Sequence, residues 1–283
     1  MLYKSGCKIN LGLRILDKRE DGYHNLETLF YPLAKPYDEL EIEKTKEIGI
    51  HVTCNIADID IKNNTLTKAY NLYFAQNPLS FGINVDLKKG VPHGAGLGGG
   101  SANAAIILSY LQEQSETPVS FEQLILIASK VGADVPFFLY NTPCYAQGIG
   151  DILVPCSFSL KGKYLLLLLP DIHISTPWAF KSLTLYKKLL TSEKEQAKKT
   201  RSSFLGDLYF ENDFEHVVFK EYLSIQKAKE LMIQNGAIFS SLSGTGAALF
   251  GVFVHEQQMQ NAIRALSMQE FFQSWKYVSI DEK

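Results

Sequence analysis

Hydrophobic positions alternate along residues 7–16 (C-K-I-N-L-G-L-R-I-L), the period of a β-strand. Ile9, Leu11, Leu13 and Ile15 then share one face, and Lys8, Asn10, Gly12 and Arg14 the other. Asp21-Gly22 marks a turn into a second apolar strand over 26–33, and the alternation of 38–43 (D-E-L-E-I-E) reads as an edge strand. Residues 48–54 and 83–87 are further short strands. Helical spacing over 65–74 sets Leu66, Ala69, Tyr70 and Tyr73 on one side. A fluent apolar run from 102 predicts a helix to about 114. A second helix over 120–131 starts at Ser120 with Gln123 three residues on, a capping-box signature. A new element begins at Gly132-Ala133-Asp134-Val135-Pro136, proline being tolerated in a first helical turn, and 145–153 reads as a hairpin.

Beyond residue 157 the pattern changes, and two lobes are expected, 1–156 and 157–283. Residues 164–169 are continuously apolar up to Pro170, as in a strand buried on both faces. Helices are predicted over 177–190, 214–234 and 257–266, and strands over 238–241, 249–254 and 277–280. The charge-rich stretch 187–201 reads as a solvated helix end and loop. There is no internal repeat.

Composition narrows the function classes. The chain has 283 residues, is 46% hydrophobic and carries a formal charge of −2, so a substantial core is expected and a nucleic-acid partner or a membrane surface is not. The longest apolar run is far too short to span a bilayer, and no targeting segment is evident. Four scattered cysteines without a C-x-x-C pair suit reduced thiols and a cytoplasmic location rather than disulfides or zinc.

The chemistry concentrates in Pro92-His93-Gly94-Ala95-Gly96-Leu97-Gly98-Gly99-Gly100-Ser101-Ala102, directly before a helix. Glycines let a backbone turn sharply against a ligand, and a helix start adds free N–H groups and a positive dipole end. The combination predicts a phosphate cradle for a nucleotide. The formal G-x-G-x-x-G match is weak. A dinucleotide fold wants an acidic residue ending a second strand about 20 positions on, and that region is polar and turn-like. No Gly-Lys-Ser or Gly-Lys-Thr follows, which excludes the ATPase P-loop, and a protein-kinase loop is flanked by strands.

Three separated pieces, Lys8 with Asn10, the 92–103 loop and Gly132-Ala133-Asp134, occur in an order that resembles the GHMP small-molecule kinases, as does Ser241-Leu242-Ser243-Gly244-Thr245-Gly246. Within them, Asp21-Gly22-Tyr23-His24-Asn25-Leu26-Glu27-Thr28-Leu29-Phe30 resembles the D-G-Y-H-x-L-x-T-L-F of the 4-diphosphocytidyl-2-C-methyl-D-erythritol kinase family. Lys8-Ile9-Asn10-Leu11, Pro92 to Asn103, Gly132 to Phe138, Asn64-Thr65-Leu66, Gly148-Ile149-Gly150, Thr176-Pro177 with Phe180, and Asn212-Asp213 agree with it too. The chain departs from the family at Gly6-Cys7, where Pro-Ala is usual, and at Leu242, where methionine is usual.

The resemblance implies an α+β, two-lobed fold, with a ribosomal-protein-S5-like N-terminal lobe, a ferredoxin-like C-terminal lobe and the active site between them. It implies transfer of the ATP γ-phosphate to the 2-hydroxyl of a cytidine-diphosphate alcohol, with Mg²⁺ accompanying ATP and no firm protein ligand for the metal. Asp134 is expected to accept or orient the hydroxyl proton, and Lys8 to stabilise charge on the phosphoryl group. As a lone residue Asp134 also suits a helix N-cap, and a lone lysine on a strand is ordinarily solvated. The 92–102 loop is expected to hold the ATP phosphates, and Asn64, Leu66 and Lys89 the adenine. Tyr23, His24 and Phe180 are expected to recognise the cytosine, and Asn10 and Thr176 the polar remainder of the substrate. Homoserine or a mevalonate derivative, a non-catalytic nucleotide-binding regulator and a dinucleotide oxidoreductase are the competing readings.

Overall fold

The computed structural model describes residues 1–56, 64–190 and 211–282. Strands β1 (Leu2–Lys18) and β2 (His24–Thr45) form a long antiparallel pair. The two strands predicted over 26–33 and 38–43 are one strand. Residues 34–37 are absorbed as an irregularity opposite Gly6, where a side chain would meet the Leu33 carbonyl oxygen at 2.2 Å. A second register shift, between Leu11 and Leu13, coincides with Gly12 at φ 76°.

β3 (Ile50–Cys54), β4 (Gly82–Lys88), β5 (Cys144–Gln147) and β6 (Ile152–Pro155) complete the first sheet in the order β3-β4-β2-β5-β6, with β1 paired to β2. Helices α1 (Thr65–Gln76), α2 (Gly99–Gln114) and α3 (Phe121–Val131) cover it through a core that includes Leu40, Ile42, Val85, Tyr70, Ile107 and Leu124. The Ser120–Gln123 capping box starts α3 as predicted, and α4 (Val135–Tyr140) follows.

The second sheet is antiparallel in the order β10-β7-β9-β8, with β7 (Lys163–Leu169), β8 (Phe239–Leu242), β9 (Leu249–Phe253) and β10 (Lys276–Glu282). Helices α5 (Thr176–Leu190), α6 (Glu215–Glu221), α7 (Leu223–Gln234) and α8 (Glu256–Ser267) complete this lobe. Three described helices, α5, α6 and α7, lie between β7 and β8; with a single crossover counted there the chain order is β-α-β-β-α-β, the ferredoxin-like arrangement. The helix predicted over 214–234 is divided at Tyr222, whose backbone leaves the helical region at φ −119° and ψ 73°. Of the charge-rich stretch, 187–190 ends α5 and 191–201 lies outside the described residues.

The apolar run of β7 is buried on both faces. Leu166 and Leu168 join the core of the second lobe, while Leu165, Leu167 and Leu169 face Cys7, Ile9 and Leu11 of β1. Leu13 and Ile15, past the Gly12 bulge, join the second lobe's own core. β1 thus packs into both lobes, and its polar face is carried to the seam between them.

Candidate functional site

The glycine loop has the predicted form. Gly94, Gly96 and Gly98 lie at φ 69°, 77° and 70°, conformations that cost other residues strain. Gly99 and Gly100 already belong to α2, which starts without a side-chain cap and so keeps its first N–H groups available. A side chain on Gly96 would stand 2.0 Å from the Ser243 carbonyl oxygen, and one on Gly98 would meet Phe138 and the Lys8 stem. The loop is tied down by Lys8 N–H to the Leu97 carbonyl (2.9 Å), Ala248 N–H to Ala95 (3.2 Å) and the Ser243 hydroxyl to Gly96 (2.9 Å). Ala95, Leu97 and Ala102 turn their side chains into the core, so they offer a ligand backbone alone. Pro92 is half-buried at the loop's entry, His93 is exposed and Ser101 half-buried.

Lys8 is buried at 4% exposure beneath this loop, with its ammonium 3.9 Å from the Asp134 carboxylate. It donates to Asn10 Oδ1 at 2.5 Å; Asn10 donates to Thr28 (3.0 Å), and Thr28 to the Gly12 carbonyl (2.5 Å). The Phe30 ring lies 5.1 Å from the ammonium. Burial pulls the Lys8 pKa below its ordinary value, and the Asp134 carboxylate opposes that pull. Asp134 stands at the N-cap position of α4 but makes no capping hydrogen bond with its side chain. Its carboxylate is therefore open to the cleft, half-exposed beside a buried cation.

The adenine expectations fare differently. Lys89 turns inward and pairs with Asp38, which is fully buried. Asp38 also accepts from Gly90 N–H, Val91 N–H and the Asn103 amide, each at 2.8 Å. This staple joins the entry of the glycine loop to helix α2 and occupies the ammonium expected against adenine. The Leu66 side chain lies in the core of the first lobe, and Asn64 caps α1 by accepting from Thr67 N–H at 2.9 Å. What α1 brings to the loop is the Thr65 hydroxyl, which donates to the Gly100 carbonyl at 2.8 Å.

Tyr23, His24 and Phe180, the residues expected at the cytosine, lie together at one end of the cleft. Phe180 stacks on His24, with centroids 5.0 Å apart, and Tyr23 stands on the rim at 61% exposure. His24 Nε2 lies 3.4 Å from the Thr184 hydroxyl. Burial, then the Lys18 and Lys187 charges, holds the His24 pKa below its ordinary value. Thr176 shares a 3.3 Å hydrogen bond with Thr245. Lys8, Asn10, Asp134, Tyr23, His24, Thr176 and Phe180 all line one cleft of about 280 Å³, together with Gly96, Gly98 and Gly244. It continues past Tyr23 and Phe180 into a wider groove of about 570 Å³ rimmed by Lys18 and Lys181.

Thr28, Phe30, Asp38, Phe214 and Thr245 belong to the site or its supports without having been singled out. Asp38 carried a usable signal: it shares the parity of the buried Leu40 and Ile42, whereas Glu39, Glu41 and Glu43 lie on the other face. Among the described residues no group of histidines, cysteines, aspartates and glutamates could hold a metal ion by itself.

Comparison with known proteins gives a consistent result. Residues 64–142 match the model of the GHMP kinases N terminal domain, and 194–270 that of the GHMP kinases C terminal domain. The chain is 40% identical over 273 residues to the 4-diphosphocytidyl-2-C-methyl-D-erythritol kinase of Nitratidesulfovibrio vulgaris strain Hildenborough, covering 93% of each. It is 42% identical over 270 residues to the enzyme of that name from Lawsonia intracellularis, covering 90% of this chain and 88% of the relative. A solved structure of 4-(cytidine 5'-diphospho)-2C-methyl-D-erythritol kinase superposes with a TM-score of 0.76 at 27% identity, covering 99% of this chain and 98% of that one. A homoserine kinase from Cytophaga hutchinsonii, at 14% identity and a TM-score of 0.67, shares the fold.

Proposed function

The chain belongs to the 4-diphosphocytidyl-2-C-methyl-D-erythritol kinases of the GHMP kinase family, and on that premise we propose that it transfers the ATP γ-phosphate to the 2-hydroxyl of 4-diphosphocytidyl-2-C-methyl-D-erythritol, in the non-mevalonate route to isoprenoid precursors. The observation that carries the reading to particular residues is the Lys8 ammonium held 3.9 Å from the Asp134 carboxylate, under a loop of left-handed glycines. Phosphoryl transfer asks a protein mainly for alignment and for charge stabilisation.

In this reading Asp134 accepts or orients the proton of the attacking hydroxyl; geometry favours that role because its carboxylate is not used as a cap. Lys8 stabilises negative charge on the transferring group, and its buried, hydrogen-bonded setting strengthens the interaction relative to water. Asn10 and Thr28 hold that ammonium in position. The backbone of residues 92–102 cradles the triphosphate, a fit supported by the left-handed Gly94, Gly96 and Gly98 and the uncapped start of α2. ATP supplies the phosphoryl group and would bring Mg²⁺, which neutralises phosphate charge, with the Ser101 hydroxyl a candidate contact. Asn64 and Thr65 border the adenine side. Tyr23, His24 and Phe180 recognise the cytosine, and Thr176 the polar remainder. We divide the chain into 1–156 and 157–283, a reading supported by the end of β6 at Pro155 and the start of β7 at Lys163. Four free thiols and no described helix able to cross a membrane accord with a cytoplasmic enzyme.

The test is ADP release with Mg-ATP and each of three alcohols: the cytidine-diphosphate substrate, homoserine and mevalonate. Turnover of the first alone is expected. Turnover of another alcohol, or tight ATP binding without any turnover, would refute the reading.

A further inference from the structure

We propose that Asp213, Lys187 and Asn212 form a positioning clamp that locks the base-facing side of helix α5 onto strand β1 and thereby sets base selectivity without touching the substrate. The proposal rests on the functional reading above.

Phe180, Thr184 and Lys187 recur at the spacing of one helix face. Each meets the first lobe. Phe180 stacks on His24, Thr184 approaches His24 Nε2, and Lys187 donates to the Ile15 carbonyl and, at 2.7 Å, to the Asp213 carboxylate. Asp213 in turn accepts from Ile15 N–H at 2.9 Å. The backbone reinforces this junction: Asp213 N–H donates to the Leu13 carbonyl and Leu13 N–H to Glu211, both at 2.8 Å. The segment of β1 beyond the Gly12 bulge is thereby paired with residues of the other lobe, 198 positions away at Ile15 and Asp213.

The neighbouring residues extend the clamp in two directions. Phe214, whose N–H is held by Asn212 Oδ1 at 3.0 Å, meets Phe180 edge-on with centroids 4.9 Å apart. The ring that stacks on His24 is thus backed by the residue that follows Asp213 in the chain. The Asn212 amide donates to the carbonyls of Leu242 (3.0 Å) and Gly244 (2.8 Å), and so holds the turn whose Ser243 reaches Gly96. One dipeptide therefore registers both the aromatic face and the second glycine turn to the strand carrying Lys8. Registration of this kind bears on function because groups held in place bind a ring without first having to be ordered. The Lys187 side chain is 36% exposed but that of Asp213 only 5%, so loss of the lysine leaves a buried carboxylate, and a melting curve is needed to separate that cost from the effect on binding.

The experiment uses the full chain and the variants Lys187→Met, Lys187→Arg and Asp213→Asn, each with a melting curve. Calorimetric titration with CDP, UDP and ATP is combined with steady-state kinetics. In Lys187→Met, CDP affinity and the KM for the cytidine substrate should worsen about tenfold, the loss expected for one charge-assisted hydrogen bond. The preference for CDP over UDP should narrow, while ATP binding stays within about twofold of the parent. Lys187→Arg should recover most of the loss, and Asp213→Asn should reproduce it. Unchanged CDP affinity and preference, or equal weakening of CDP and ATP, overturns the clamp. Absence of turnover in the parent chain refutes the functional reading instead, and the CDP titrations still judge the clamp; a parent chain that binds no CDP overturns both.

Discussion

The cleft has two ends built on different principles. At the phosphoryl end, Lys8, Asn10 and Thr28 are buried and joined by short hydrogen bonds, and the loop above them is bonded to both lobes. At the base end, Tyr23 is exposed, His24 is half-buried, and the main contacts are aromatic: Phe180 stacks on His24 across the lobes and meets Phe214 edge-on within the second. Charge development demands groups already in place, because reorganising dipoles during the reaction raises the barrier. Recognition of a flat ring demands area and a few polar atoms, and it tolerates small adjustments. Damage at the first end should therefore appear in kcat, and damage at the second in KM for the alcohol.

The sharpest way to break this contrast is Asp134→Asn. It should lower kcat by about 10²–10⁴, the usual span for loss of a general base, with ATP affinity little changed. A variant retaining parental kcat would remove Asp134 from the reaction. Lys8→Ala comes next, with kcat reduced on the order of 10²–10³, comparable to removal of an oxyanion donor. A pure KM effect there would mean that Lys8 binds the ground state and transition state alike.

The Lys8 ammonium also makes the contrast testable by pH. Its pKa is lowered from 10.5, so the charged form is complete below the lowered value and is lost as pH rises through it. An alkaline limb in kcat/KM is expected below the ordinary lysine range, and Lys8→Arg should move it upward. A limb that stays in place belongs to another group. Asp38→Asn should weaken ATP binding by roughly tenfold, since it removes the charge that anchors Lys89 and loosens the staple between the loop's two ends. If KM for ATP is unaltered, the staple serves folding alone. Tyr23→Ala is the mildest: about a threefold to tenfold rise in KM for the alcohol, with kcat preserved, as an exposed aromatic contact would give. A fall in kcat without a change in KM would place Tyr23 with the phosphoryl end.

Much of this molecule was legible before any coordinates. The alternation of 7–16 put Lys8 and Asn10 on the face away from Ile9 and Leu11, and the glycine density marked the turning loop, though only the structure shows that Gly94, Gly96 and Gly98 are its left-handed positions. Other features were not legible there, for identifiable reasons. Lys88 and Lys89 are adjacent in sequence, and only the position of Asp38 decides which is drawn inward. Tyr23 and His24 are neighbours as well, and only the packing of α5 determines that His24 takes the Phe180 stack. Tyr222 interrupts a helical pattern that periodicity alone continues.

Local features of this chain were determined by the sequence itself: strand parity, loop glycines, the capping box of α3 and the order of motifs that marks its family. These depend on interactions within a few residues, where backbone sterics and side-chain period suffice. The meeting of Lys8 with Asp134, the staple at Asp38 and the junction of Ile15 with Asp213 were decided by tertiary structure alone. Each joins segments remote in the chain, and a buried charge finds its partner only when the packing of whole sheets and helices excludes water around both.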